Sequence, residues 1–389
     1  MINKISNGLK RLSYKVVEKL ENVLPSSIRY PTIIKTYLPW ILKNPGFIPT
    51  IGHLVKGYAQ SNRLRKYELA RGVKVPPALI ISITSQCNLH CAGCYAAATG
   101  TVCPGTAKRT LDIDQWRKII QEASDMGVFG FIIAGGEPFL TKNLLSLSEE
   151  FPDRLFVIFS NGTLLKDEEF CRLKRNRNTI VVVSLEGDQA MTNGRRGTGV
   201  YKKVLTTIHK LDQNGILSGI SATINRKNYK YWMNEKNVDD LIAKSIHLAF
   251  FLEYIPVDND TELMLTEKEN KAFRKQVLFY RETKQISLIH SPGDEELMGG
   301  CVSAGRGFAH VTPQGDLTPC PVSNIATHNL KRTSLREGLK SELFKIIRDT
   351  EHLLETDGTP CALFAHPEEV ELIAKQVCAY KTGGDTWYS

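Results

Sequence analysis

Three hydrophobic patterns follow one another along the chain. Over residues 4–24, Ile5, Leu9, Leu12, Val16, Leu20 and Val23 recur at steps of three and four. That spacing predicts one face of an amphipathic helix, with Lys4, Lys10, Arg11, Lys15 and Lys19 off the stripe. From Leu79 onward, β-branched and aromatic runs at 79–84, 129–134, 154–160, 180–185, 217–224 and 248–255 alternate with helix-period stretches at 113–126, 164–174, 200–213 and 234–245. Strand–helix alternation of this kind predicts parallel strands joined by right-handed crossovers. Six such units make an α/β fold, a partial (β/α)6 barrel related to the TIM barrel, with functional groups at the C-terminal strand ends. Beyond residue 290 the periodicity gives way to glycines, prolines and four cysteines. At 389 residues the chain is long enough for a barrel with appendages. We therefore expect a basic helical extension at 1–75, a barrel at 76–290 and a small cysteine-containing α+β extension at 291–389.

Charge sharpens this division. Residues 1–75 hold 14 lysines and arginines against 3 glutamates, a net +11. With +9 for the whole chain, the other 314 residues total −2. A basic amphipathic helix suits an anionic membrane surface. Tyr30, Tyr37, Trp40 and Phe47, interleaved with Lys35, Lys43 and Lys56, suit the headgroup zone. Packing of the same apolar face on the barrel is the competing reading. Basic charge also supports non-specific phosphate binding, but no nucleic-acid-binding motif is present and no specific nucleic acid is expected. No apolar run approaches the roughly 20 residues of a membrane span, and the N-terminal segment lacks the features of a secretory signal. Nine cysteines, an odd number with three in a metal-type cluster, argue for a reducing compartment rather than a disulfide framework. The expected location is the cytoplasm, peripheral at the inner face of the membrane.

The chemistry concentrates where the first strand ends. Cys87, Cys91 and Cys94 follow it with gaps of three and two residues. Such short gaps gather three thiolates round one metal centre, and thiolates suit iron–sulfur clusters or zinc. A structural zinc site is usually closed by four protein ligands, and His90 is the only nearby candidate for the fourth. Three thiolates on a cubane instead leave one iron open for chemistry. The Cys-x3-Cys-x2-Cys loop followed by Tyr95 resembles the cluster loop of the radical S-adenosylmethionine (radical SAM) superfamily. That resemblance implies a 4Fe-4S cluster whose open iron chelates S-adenosyl-L-methionine. Reductive cleavage then gives a 5′-deoxyadenosyl radical, which takes hydrogen from an unreactive C–H bond. It also implies a low-potential electron donor such as flavodoxin or ferredoxin.

Further strand ends carry matching elements. Gly135-Gly136-Glu137-Pro138, where two glycines permit close backbone approach, is similar to the family's GGEP motif, which holds the methionine amino group. Ser160 and Asn161 precede Gly162, as in the family's Thr-Asn-Gly. Ser184 and Glu186 resemble its Ser-x-Asp-Gly element, with glutamate in place of the commoner aspartate, and are expected near the cofactor's ribose or carboxylate. Arg196, in Arg195-Arg196-Gly197-Thr198-Gly199, matches the arginine able to grip the cofactor carboxylate. Glu253 and Tyr254, on the sixth strand ending near Asp258, are candidates to meet substrate.

Cys301, Gly315 and Cys320, spaced by thirteen and four residues, are similar to the entry motif of SPASM and twitch extensions. The resemblance implies a β-hairpin around Gln314-Gly315-Asp316 and an auxiliary 4Fe-4S cluster. The dense cysteine run of a full SPASM domain is missing, so one auxiliary cluster is expected, held by Cys301, Cys320 and Cys361 or Cys378, or by all four. Cys103 and Cys171 have no partners at cluster spacing and are expected to be structural. The expected enzyme acts on a small-molecule or lipid substrate. A peptide or protein maturase and a tetrapyrrole-modifying enzyme are the alternatives, and a non-catalytic electron-transfer protein is the alternative of another class.

Overall fold

The computed structural model describes residues 32–102, 110–257, 260–356 and 359–382. The predicted helix at 4–24, Cys103 and Asp258 lie outside the described residues.

Seven strands run parallel in chain order: β1 (Ala78–Thr84), β2 (Gly130–Gly135), β3 (Leu155–Ser160), β4 (Thr179–Ser184), β5 (Ser218–Ile224), β6 (Leu248–Glu253) and β7 (Ser287–Ser291). The apolar runs predict the first six to within two residues at each end. β7, Ser-Leu-Ile-His-Ser, is too short and polar to announce itself. The chain then returns to the free edge of β1, where β8 (Phe308–Val311) pairs in parallel. β9 (Asp316–Thr318) folds back on β8 around Gly315, whose φ of 94° permits the turn. β10 (Ile325–Ala326) pairs with β12 (Tyr380–Lys381), and β11 (His328–Asn329) pairs with β9. The result is one ten-stranded sheet running from β11 to β7, so the predicted C-terminal hairpin extends the barrel wall. His310 fastens that join, with Nε2 2.8 Å from Ser82 Oγ of β1 and Nδ1 2.7 Å from Thr318 Oγ1 of β9.

Alternation along the strands sorts side chains to two faces. Leu79, Ile81, Phe131, Ile133, Phe156, Ile158, Val181, Val183 and Phe251 are buried under the surrounding helices. Their neighbours Ile132, Ala134, Val157, Phe159, Phe250 and Leu252 are half-buried. Phe159 on β3 and Phe250 on β6 meet with ring centroids 5.0 Å apart although two strands separate them, which identifies this face as the barrel interior. The helices hold their places through ordinary end signals. The helix Ile113–Met126 begins with an Asp112/Gln115 capping box and ends at Gly127, with φ of 104°. It buries Trp116, Ile119, Ile120 and Ala123.

Glu253 falls on the helix face, not in the interior. Its Oε1 lies 2.8 Å from His290 Nε2, and Asn270 Nδ2 donates to its Oε2 at 2.6 Å. The expectation that it faces substrate fails because Glu253 shares the parity of Phe251.

The N-terminal region also corrects an expectation. Tyr37, Trp40 and Phe47 pack on the barrel rather than facing a headgroup zone. Trp40 and Ile41 of the helix Thr32–Lys43 form a buried cluster with Ile51 and Leu217. The Tyr37 hydroxyl donates to His247 O at 3.3 Å. The helix Ile48–Ala70 continues across the base of the barrel. Arg65 donates to Gly127 O at 2.6 Å, and Glu68 pairs with Arg336 of the C-terminal region. A Cβ on Gly57 would lie 1.9 Å from Asp153 O, so that helix seats against backbone. Aromatic residues mixed with lysines describe such a seated helix as well as an interfacial one. Among the described residues no helix is long and apolar enough to cross a membrane.

Candidate active site

The C-terminal ends of β1 to β5 converge on one site. β1 loses register with β2 between Ser82 and Thr84, and the cysteine loop leaves the sheet there. Gly135 and Gly136 let β2 lie against this loop. Gly135 has φ of 113°, and a Cβ on Gly136 would sit 1.9 Å from Gln86 O. Any side chain at position 136 would push the loop away. Cys87, Cys91 and Cys94 are half-buried and unpaired by disulfides. Burial pushes the Cys87 and Cys91 thiols up. At Cys91 the nearby Arg196 and Arg195 guanidiniums oppose that shift. Tyr95 opens a short helix, Tyr95–Ala98, immediately after Cys94. Burial is the main reason its hydroxyl pKa is raised, and thiolate charge at Cys94 and Cys320 adds to it. Tyr95 thus stands near both cysteine groups.

Glu137 is 1% exposed and turned into β3. Ser160 Oγ donates to its Oε1 at 2.8 Å, Phe139 N to the same oxygen at 3.2 Å, and Asn161 N to Oε2 at 2.7 Å. Burial raises its pKa, against the pull of these donors. Pro138 opens the one-turn helix Pro138–Leu140 that follows. The Asn161 side chain donates to Asn88 Oδ1 at 2.8 Å, and Asn88 donates to Thr163 Oγ1 at 2.9 Å. Asn88, which sequence reasoning passed over, thereby ties the cysteine loop to the end of β3.

Glu186 organises the other side. It is 2% exposed and lies just beyond Ser184, itself buried at the end of β4. Arg195 Nη1 and Arg196 Nε both donate to its Oε1, at 2.8 and 2.7 Å, while Thr223 N donates to Oε2 at 2.9 Å. Burial alone would raise its pKa, but the Arg196 and Arg195 charges hold it below the usual carboxylate range. Two cations on one carboxylate leave a net positive charge beside the cysteine loop. Arg195 Nη2 donates to Gly93 O at 3.2 Å, Ala92 N donates to Arg195 O at 3.0 Å, and Arg196 Nη1 lies 4.0 Å from Cys91 Sγ. The arginine pair is thus engaged within the protein. Arg195, the poorer match to the family motif, is the one that reaches the loop backbone.

The C-terminal cysteines form a second group. Cys301 and Cys320 are buried and Cys361 is half-buried. Burial pushes Cys301 up to about 11, Cys361 up to about 12 and Cys320 well above the ordinary thiol value. Thiolate charge at Cys301 adds to the shift at both of the others. Cys301 packs with Leu354 and Ala362, the latter adjoining Cys361. Cys378 stands exposed in a left-handed turn (φ 52°), outside this buried set. Cys171 is likewise exposed.

Among the described residues no three His, Cys, Asp or Glu side chains are placed to hold a single metal ion. A four-iron cubane makes a different demand, since each thiolate binds a different iron. Three thiols in one loop, with a buried cation beside one sulfur, fit a cluster that is anionic once three thiolates bind it.

Residues 81–234 match the Radical SAM superfamily. The AdoMet-dependent heme synthase of Methanosarcina barkeri is 25% identical over 306 residues, 72% of this chain and 86% of that protein. The sporulation killing factor maturation protein SkfB of Bacillus subtilis is 32% identical over 281 residues, covering 68% of this chain and 64% of its own length. Among solved structures, SuiB of Streptococcus suis bound to its precursor peptide SuiA superposes with a TM-score of 0.61 at 20% identity, covering 74% of this chain and 71% of that one. With the fold, these similarities establish that the chain belongs to the radical SAM superfamily and is an enzyme using a 4Fe-4S cluster and S-adenosyl-L-methionine.

Proposed function

We propose that the enzyme modifies a peptide, using a radical cluster on Cys87, Cys91 and Cys94 and one auxiliary cluster on Cys301, Cys320 and Cys361. When bound, the cofactor pair supplies a carbon-centred radical that removes hydrogen from an unactivated C–H bond. The protein's task is to place and shield that chemistry. Gly135 and Gly136 give the cofactor room beside the loop. Glu137, held in place by three donors, lines the turn where the ammonium group of the cofactor would sit. Ser184, Ser160 and Asn161 border the same space. The positive charge left on Arg195 and Arg196 offsets the anionic cluster and attracts the cofactor carboxylate. A low-potential flavodoxin or ferredoxin delivers the electron.

The observation that supports this reading is that Tyr95 lies near Cys94 of one cysteine group and Cys320 of the other. SkfB and SuiB, a maturation protein and an enzyme captured with a precursor peptide, favour peptide over lipid. Tyr37, Trp40 and Phe47, three of the aromatic residues that suggested a membrane surface, are seated on the barrel, which removes part of the support for lipid. The heme synthase similarity favours a second reading, an iron tetrapyrrole substrate.

The test is 5′-deoxyadenosine formation by anaerobically reconstituted, reduced enzyme, with cysteine-containing peptides or iron coproporphyrin added. Stimulation by a peptide, together with loss of two hydrogens from its mass, supports the proposal. Stimulation by the porphyrin alone would replace peptide with tetrapyrrole.

A further inference from the structure

Three cysteines satisfy three irons of a cubane, and Cys378 is exposed whereas Cys301 and Cys320 are buried. The segment preceding Cys301 offers another group. Residues Glu295–Met298 make a single helical turn, and Gly299 and Gly300 follow in left-handed conformations, with φ of 70° and 94°. Gly300 N donates back to Glu295 O at 3.0 Å. A Cβ on Gly300 would lie 2.3 Å from Leu354 O, so the turn is pressed against the segment leading to Cys361. This tight return brings the Glu295 carboxylate close to the Cys301 thiol, which itself donates to Ser303 Oγ at 3.3 Å. Ser291 Oγ donates to Glu295 Oε1 at 3.1 Å, and Val302 N also donates to the carboxylate.

Among the described residues, no lysine or arginine pairs with this carboxylate. Arg306, the nearest candidate, donates instead to the carbonyls of Cys301, Met298 and Gly299, at 2.7, 2.9 and 3.1 Å. A half-buried carboxylate with no ion-pair partner keeps an oxygen free to coordinate a metal. Carboxylate oxygen is also an accepted ligand for iron.

We propose that Glu295 is the fourth protein ligand of the auxiliary cluster, completing a three-cysteine, one-carboxylate set. This rests on the auxiliary-cluster reading above. With a cluster bound, the Cys301 thiol would give up its proton to solvent and hold one iron, and the Glu295 carboxylate would hold another. A cluster with all four irons held by protein is closed to substrate, which gives it an electron-transfer or structural role.

The test uses the full chain carrying Cys87→Ala, Cys91→Ala and Cys94→Ala, so that only auxiliary iron is present. In this parent we expect about four irons per chain that resist mild oxidation by ferricyanide. Glu295→Gln, which keeps size and hydrogen bonds, should lose one iron under that treatment and give the EPR signal of a three-iron cluster. Glu295→Cys should retain all four irons with altered EPR g values. Identical iron content, oxidation resistance and EPR in Glu295→Gln and the parent would overturn the assignment. So would three-iron conversion in Cys378→Ser but not in Glu295→Gln. If the parent itself holds no iron, the auxiliary-cluster reading falls and the ligand assignment with it.

Discussion

The two cysteine groups of this enzyme are assembled by opposite routes. Cys87, Cys91 and Cys94 lie in one loop, half-buried at the mouth of the barrel, and the loop is held by outside braces. Asn161 and Asn88 fix one side, and the Glu186–Arg195–Arg196 triad fixes the other. Cys301, Cys320 and Cys361 come from three separate segments, and their thiols are displaced well above the ordinary range by burial. The first group has charged partners and can be read from spacing. The second is more deeply buried, has the Glu295 carboxylate as its charged neighbour, and exists only once the chain has folded. Local spacing makes a site exposed enough to exchange a cofactor, whereas long-range assembly makes a site walled by core.

The largest effect should come from breaking the first group. Replacing any of Cys87, Cys91 or Cys94 by alanine should reduce 5′-deoxyadenosine formation to background while leaving the C-terminal iron in place. Nucleoside production by such a variant would show that the loop is not the radical site.

Next comes the brace. Glu186→Gln strands two largely but not fully buried guanidiniums and should cost about 3 kcal/mol in denaturant unfolding. Glu137→Gln keeps the shape and has no cation to strand, so it should cost about 1–3 kcal/mol. Equal losses would mean that charge pairing is not what distinguishes the two carboxylates.

A smaller effect belongs to the strut between the N-terminal and C-terminal regions. Glu68 is held below its ordinary pKa chiefly by its hydrogen bond to Arg336. Its contribution is therefore complete above the unfolded carboxylate value and is lost as pH falls through the folded one. Arg336 is 41% exposed, so Arg336→Ala should cost only about 1 kcal/mol at neutral pH. The difference from wild type should vanish in acid. A difference that persists there, in urea midpoints measured across the pH range, would assign the effect to packing rather than charge.

The smallest is Cys378→Ser, which should leave iron content and cofactor cleavage unchanged. Lost iron would return that residue to the auxiliary site.

The strand–helix order, six of the seven parallel strands and the cysteine loop were legible because each depends on neighbours in sequence. Apolar runs set strands, three- and four-residue steps set helices, and gaps of three and two residues set the thiolate loop. β7 was not legible, since five residues with serines at both ends carry too little hydrophobic signal. Facing was lost in the same way. Glu253 looks like a rim carboxylate until the parity of Phe251 assigns it to the helix layer with His290. Trp40 reads equally as a membrane anchor or a packing residue, and only the position of Leu217 decides. Arg195 and Arg196 differ little as letters, yet one grips Gly93 O and the other lies beside Cys91 Sγ.

By itself, then, the sequence determined the barrel class and the three-cysteine loop, because these rest on short-range periodicity and spacing, while the radical chemistry was implied by the loop's resemblance to a known family. Tertiary structure alone decided which distant cysteines meet, which carboxylate joins them and which charges are spent on bracing. Those outcomes depend on contacts between segments far apart in the chain, and no local pattern encodes the distance between such segments.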